Sequence, residues 1–415
     1  MNYNITFNYK IINKIKIGTF TYYLENGGRS RITTFLFNYL YKVKFFNLFL
    51  FTIKNKDQNE YLIEDNINRI LIYNYTIKSL IKSILKKKIH IFIYQYQNHE
   101  ENMALNKLKN TKIINYQHQS IFFWIYSNYN TIKHLFISYK ESKYIISLIH
   151  LENDYIFKKW GIKSIFMDNF ITYEYNSSIP LDLIYKNILM FGRADDKFKR
   201  FELGILAMEY IIEHIPEVKM KIITNITNIE YLKNIINYLC LEKYIHFVEY
   251  TPLPEKYFQN ISLNIITSIS ESFSLALSET KLYGIPNIFM GLDYISTANG
   301  GTINIYDDSP EYLAKESIKL LTNYEYRQIL GKEARKSMKK FENKKLLKKW
   351  VKLLLSIYTN DEYYEILRKY NKKISEIKAL NYLKNQFLFF KKRKKYLKNI
   401  TLNEIKKFLY NKNIE

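Results

Sequence analysis

Two carboxylates, Glu271 and Glu279, stand eight residues apart in the segment ESFSLALSE, which runs on into KLYGIP. On a continuous helix, rising about 1.5 Å per residue, that spacing separates them by roughly 12 Å. The acid/base pair of a glycosidase needs its carboxyls about 5 to 9.5 Å apart, so this pair is unsuited to that chemistry. It suits two acceptors gripping opposite ends of one long ligand, such as the sugar and the ribose of a nucleotide-sugar. Taken alone, it fits a surface helix with a glutamate at each end even better.

A second constellation lies upstream. Ile188-Leu189-Met190-Phe191 is a buried-strand run, and Gly192-Arg193 follows at its carboxyl end. The polar loop ADDKFKR leads into FELGILAMEYIIEHIPEV, whose apolar residues recur at helical spacing. A further strand from Lys219 to Thr224 completes a βαβ unit. In open α/β sheets, ligands sit at the carboxyl ends of strands, where helix N-termini favour anions. Arg193 and Lys199 bracket such a helix start, one offering a planar fork and the other a point charge, and together they suit a diphosphate. Lys197, Lys199 and Arg200 read alone would be an ordinary solvated basic loop.

The elements that must position these residues alternate along the chain. From residue 16 to about 172 come IKIGTFTYYL, a glycine loop, the helix RITTFLFNYLYKV, the strand FNLFLFTIK, and further units ending near Tyr94 and Tyr116. This is the pattern of a parallel sheet with crossover helices. A polar stretch from Thr172 to Tyr185 reads as a linker, and a second α/β domain runs to about Phe341. No internal repeat is evident beyond the likeness of two α/β halves.

The ordered combination of FGRADDKFKRFELGILAMEYI, YIHFVEYTPL and SLNIITSISESFSLALSETKLYGIPNIF resembles the C-terminal half of the GT-B glycosyltransferases of retaining family 4, over about Asn187 to Trp350. More weakly, IGTF leading into ENGGRSR is similar to that family's first strand and glycine loop, and NDYIFKKWGIKSIFMDN to the last strand region of its N-terminal domain. The resemblance implies two Rossmann-like parallel-sheet domains facing each other across a cleft. Residues 1–175 would form the acceptor side and 176–342 the donor side. A crossover helix at 343–359 would return to the first domain, and a basic helical extension would fill 360–415.

The resemblance also implies roles. Arg193 and Lys199 match the pair holding the donor diphosphate, Glu279 the acceptor for the ribose hydroxyls, and Glu271 the carboxylate beside the donor sugar. The amides of Ser274 and Leu275 match those that meet the phosphates, and Gly27 and Gly28 the loop where backbone nears the ligand. The base would be held by backbone from about Tyr250 to Leu253. His118, after the strand TKIINY, is similar to a histidine that faces the cleft; read without the family it is a polar loop residue. The chain departs from the pattern at Ser272, Ser274 and Arg200, where the family often has Gly. The Arg200 change is expected only to add charge. No cofactor and no metal are expected; the co-substrate would be a nucleotide-sugar, a UDP-sugar in preference to a GDP-sugar, and the acceptor a glycan or a lipid-linked glycan.

Composition is consistent with this reading. The chain has 415 residues, long for one core and natural for two domains. Its one cysteine, Cys240, rules out an intrachain disulfide, and a reducing compartment is the expectation. No signal-peptide pattern is read at the start, and the apolar runs fall far below the roughly 20 residues of a membrane-spanning helix. A cytoplasmic protein is therefore expected. The net charge of +24 would serve nucleic acid or anionic lipid equally, but no nucleic-acid module is recognisable and no nucleic-acid partner is expected. From Asn360 onward there are 15 Lys and Arg against 6 Asp and Glu, and Phe387–Phe390 runs directly into the basic cluster Lys391–Lys395. Such a segment would suit peripheral docking on the anionic inner membrane surface, or equally a helix packed on the protein with its lysines solvated. His99, Glu100 and Glu101 read as a loop cluster without metal-ligand spacing. Two other classes remain open: a catalytically silent GT-B scaffold, which has no need of both pairs, and a nucleic-acid-binding protein, motivated by charge alone.

Overall fold

The computed structural model describes residues 14–25, 27–54, 60–95, 98–121, 129–171, 183–194, 198–250 and 257–360. The basic extension, the larger part of the linker and Thr251–Leu253 of the base-binding stretch lie outside these residues.

The first domain opens with strand β1 (Ile15–Phe20), helix α1 (Gly28–Tyr41), β2 (Phe46–Thr52) and β3 (Asn68–Leu71). It continues through α2 (Ile77–Lys87), β4 (Ile91–Tyr94), α3 (His99–Asn106), β5 (Lys112–Gln117) and α4 (Tyr129–Glu141). Strand β6 (Tyr144–Ser147), α5 (His150–Trp160) and β7 (Ile165–Phe166) complete it. The strands form one parallel sheet in the order β3-β2-β1-β4-β5-β6-β7. Runs such as FNLFLFT and IFIY are apolar nearly throughout because helices cover both faces of the sheet. The order reverses between β1 and β4, which opens a crevice at their carboxyl ends.

The second domain repeats the plan with β8 (Ile188–Phe191), α6 (Phe201–His214), β9 (Met220–Thr224), α7 (Glu230–Tyr238) and β10 (Ile245–Glu249). Then come β11 (Leu263–Ile266), α8 (Leu275–Leu282), β12 (Asn287–Met290), β13 (Thr302–Ile305), α9 (Pro310–Thr322) and α10 (Tyr324–Ser337). Its sheet is parallel in the order β10-β9-β8-β11-β12-β13, with the switch point between β8 and β11.

Helix α11 (Asn343–Thr359) follows the second domain but buries its apolar face in the first. Leu347, Trp350, Val351 and Leu354 join Ile114, Tyr116 and Phe37 in one core, and the Trp350 indole meets the Tyr116 ring edge-on at 5.2 Å. Its end is fixed by Lys112, whose Nζ donates to the carbonyls of Ile357 (2.5 Å) and Tyr358 (2.9 Å) and to Asn360 Oδ1 (2.7 Å). A cation there satisfies carbonyls that the helix leaves open and complements its dipole.

One local expectation is corrected. His99–Glu101 is not a loop but the first turn of α3, capped by the Asn98 side chain. Glu101 is buried and accepts from the hydroxyls of Tyr75 (2.7 Å) and Tyr94 (2.6 Å), which burial and this carboxylate keep protonated.

Candidate active site

The carboxyl end of β8 and the start of α6 build one side of the site. Gly192 takes φ +152 and Arg193 follows it at the surface. The loop before α6 is stapled to the loop after β11: Thr267 Oγ1 donates to the Lys199 carbonyl (2.6 Å), and the Ile269 amide donates to the Phe198 carbonyl (2.8 Å). A pocket opens between these loops, lined by Lys199, Phe201, Thr267, Ser268, Glu271 and Ala276. Within it Lys199 Nζ lies 2.5 Å from Glu271 Oε1. The two expected site residues from opposite ends of the motif set thus form one ion pair at the switch point.

Arg200 does more than add charge. It is buried, caps α6 in the left-handed region (φ 48, ψ 49), and points inward. Its Nη2 lies 2.9 Å from Asp308 Oδ1, and its Nε donates to the Thr267 carbonyl at 2.8 Å. The left-handed backbone is the physical reason glycine suits this position. Ser274 occupies the same region (φ 59, ψ 89), so its change from glycine is likewise a matter of backbone.

Glu271 does not sit on the helix that carries Glu279. Helix α8 begins only at Leu275, after the turn at Ser274, so the spacing of a continuous helix does not apply to the two carboxylates. The first residue of α8 meets the first residue of α1: a Cβ on Gly28 would touch Leu275 Cδ1 at 3.4 Å. Gly27, with φ +132, makes the turn into α1 in a conformation other residues rarely adopt. Two helix N-termini therefore converge, and neither has an acidic residue in its first turn. The first-turn N–H groups that a helix's own ladder does not use, together with the positive dipole ends, make converging N-termini a place that favours an anion.

Three polar contacts span the cleft here. Ser272 Oγ donates to the His118 carbonyl at 2.6 Å. The hydroxyls of Tyr61 and Tyr250 lie 3.1 Å apart. Arg31 Nη1 lies 2.6 Å from Glu279 Oε1, with both side chains buried. His118 Nε2 contacts Gln95 Oε1 at 2.8 Å, and burial together with the Arg29 charge holds the imidazole well below its usual range, hence neutral. Apolar contacts reinforce the closure, with Leu277, Phe289 and Ile295 of the second domain packing on Leu135, Ile145 and Ile149 of the first. Among the described residues, no three His, Cys, Asp or Glu side chains gather to hold a metal ion.

Arg31, Gln95 and Tyr61 were not found from sequence. For Arg31 a signal existed: two arginines in the first turn of a helix that follows a glycine loop, with no acid to balance them.

Residues 176–337 match the family model described as glycosyl transferases group 1. Sucrose-phosphate synthase from Thermosynechococcus elongatus superposes with a TM-score of 0.70 at 12% identity, over 84% of this chain and 100% of that one. The chain has the GT-B fold. Anabaena HepE, solved with UDP and glucose, gives a TM-score of 0.67 at 12% identity over 82% and 100%. WaaG, a glycosyltransferase involved in lipopolysaccharide biosynthesis, gives 0.61 at 14% identity over 81% and 99%. No curated protein sequence matches the chain. In GT-B terms, the family match covers the domain that carries Lys199, Glu271 and Glu279, and the opposing domain supplies Arg31 and His118.

Proposed function

We propose that this protein is a retaining glycosyltransferase that moves a hexose from a nucleoside-diphosphate sugar, a UDP-sugar in preference to a GDP-sugar, to a glycan or lipid-linked acceptor. The observation that carries this reading is the meeting of the α1 and α8 N-termini at the switch point, beside Lys199 and the Glu271 and Glu279 carboxylates. The diphosphate lies against these amides, and Arg193 and Lys199 offset the charge that grows on it as the sugar departs. Lys199 exchanges its Glu271 partner for phosphate oxygen, which frees the carboxylate for the sugar. Glu279 accepts from the ribose. The neutral His118 can orient an acceptor or sugar hydroxyl, and the leaving phosphate takes the proton from the acceptor. Closure over the cleft excludes water and so suppresses hydrolysis.

HepE, solved with UDP and glucose, and WaaG, described as acting in lipopolysaccharide synthesis, support a sugar-nucleotide donor and a glycan or lipid-linked acceptor. Peripheral docking through Phe387–Lys395 belongs to the same reading. Among the described residues, no helix is long and apolar enough to cross a membrane.

The test is thermal melting in EDTA with UDP, GDP and single-stranded DNA. A nucleoside diphosphate at 100 times its dissociation constant should add about 2.7 kcal/mol. No shift with any nucleotide would refute the donor site, and an anomer inverted in the isolated product would refute retention.

A further inference from the structure

The first domain contributes a charge to the carboxylate that the donor reading assigns to the ribose. Glu279 lies on α8 of the second domain and is fully buried, and Arg31 on α1 of the first is nearly so. Their 2.6 Å contact joins residues 248 positions apart. The Arg31 guanidinium lies 5.7 Å from the Tyr61 ring, and Tyr61 in turn reaches Tyr250 at the end of β10, where the base is expected. One small group of residues from the first domain therefore surrounds the nucleoside end of the donor site.

We propose that Arg31 is a positioning residue for the donor: it keeps Glu279 ionised and aimed at the ribose, so that nucleotide binding depends on the first domain as well as the second. This rests on the donor-site reading above. An isolated carboxylate removed from water takes up a proton, whereas a guanidinium in contact holds it charged. An ionised carboxylate accepts hydrogen bonds from two hydroxyls, and a protonated one loses part of that capacity. Opening the cleft would withdraw Arg31 and weaken the ribose contact at the same time, linking nucleotide release to domain opening.

The groups facing Glu279 define what can titrate. Arg31 stays charged, and burial raises the Tyr250 hydroxyl so that it stays neutral. Tyr61 is a phenol. Lys281, two residues along α8, directs its Nζ to the carbonyls of Thr297 and Asn299. His118 elsewhere in the cleft is held neutral.

The test measures UDP and GDP dissociation constants by calorimetry between pH 6 and 8 for the wild type, R31Q, R31K, E279Q and R31Q/E279Q. The ratio of variant to wild type cancels the titration of the ligand phosphate and of Lys281. For R31Q the ratio should rise about tenfold as pH falls from 8 to 6, because a buried carboxylate without its guanidinium takes up a proton more readily as pH falls. For R31K, which restores a charge, the ratio should stay flat. In the E279Q background, removing Arg31 should cost less than about threefold, since no carboxylate remains to be held. The double variant buries no charge, so it carries the test even if R31Q alone does not fold. A pH-independent ratio for R31Q, or an equal loss from R31Q with and without E279Q, overturns the proposal and leaves the donor site standing. A wild type that binds neither nucleotide overturns both.

Discussion

Arg200→Gly sets two effects of opposite sign against each other at one position. Arg200 holds φ 48, a left-handed conformation that costs a non-glycine residue about 1–2 kcal/mol, so glycine would relieve strain. The same side chain is 2.9 Å from the buried Asp308 carboxylate and donates to the Thr267 carbonyl. Removing one partner of a buried ion pair costs about 3–5 kcal/mol. The ion pair wins, and R200G should lose roughly 1–4 kcal/mol. At about 2–4 °C per kcal/mol for a domain of this size, melting should fall by roughly 2–16 °C. R200G/D308N should recover most of the loss, because the charge left behind is gone and the glycine gain remains. Differential scanning calorimetry of the three proteins measures this directly. An R200G protein as stable as the wild type would refute the reasoning, since strain relief would then equal or exceed the pair. A double variant no better than R200G would show that packing, not charge, fixes the site.

Glu279→Gln should weaken nucleoside diphosphate binding, because ribose contacts are shared by ground and transition states, while Glu271→Gln should lower turnover more than affinity. Equal loss of affinity in both, with turnover intact, contradicts the assigned roles. Lys281 is fully buried, and desolvation with help from Lys340 lowers it from 10.5 to about 7. Between about pH 7 and 10 the unfolded chain holds a proton that the folded one has released, so this group makes stability rise with pH there; below about 7 both states are protonated and its contribution is flat. Melting of the wild type should climb from pH 7 to 9, and K281M should flatten that slope; identical slopes would refute the assignment. Removal of residues 361–415 should abolish co-sedimentation with anionic vesicles at low salt while leaving nucleotide binding intact, and equal binding to neutral vesicles would refute the electrostatic anchor.

Periodicity located most of what the fold required. Strands such as FNLFLFT and ILMF announce themselves because a parallel sheet covered on both faces leaves no polar alternation. The short β3, NRIL, carries no such signal: it lies at the sheet edge, and its residues are exposed or half-buried. The sequence singles out Lys199 and Glu271 separately, but nothing in it marks them as partners of each other. Their contact depends on how the loops after β8 and β11 are tied, through Thr267 and Ile269. The Arg31–Glu279 pair was further out of reach, since it exists only once two domains close, and no local pattern encodes an approach between residues so distant in the chain. Arg200 was misjudged for a related reason: a basic residue among lysines reads as solvated, and only the left-handed turn sends it inward to Asp308.

Helix α11 makes the first domain discontinuous along the chain. The hydrophobic core around β1, β5 and α1 includes Leu346, Leu347, Trp350 and Val351, which are synthesised after the whole second domain. A nascent chain that has emerged only as far as the linker therefore presents an incomplete domain, with the surface awaiting Trp350 still bare. The second domain, contiguous from β8 to α10, can reach its native state before the first is finished. Ribosome-attached chains ending before residue 343 should accordingly expose a sticky surface for chaperones, and chains released after residue 360 should not. The two faces of the cleft therefore come together only after the crossover helix has been made, since it carries the side chains that finish the first domain's core.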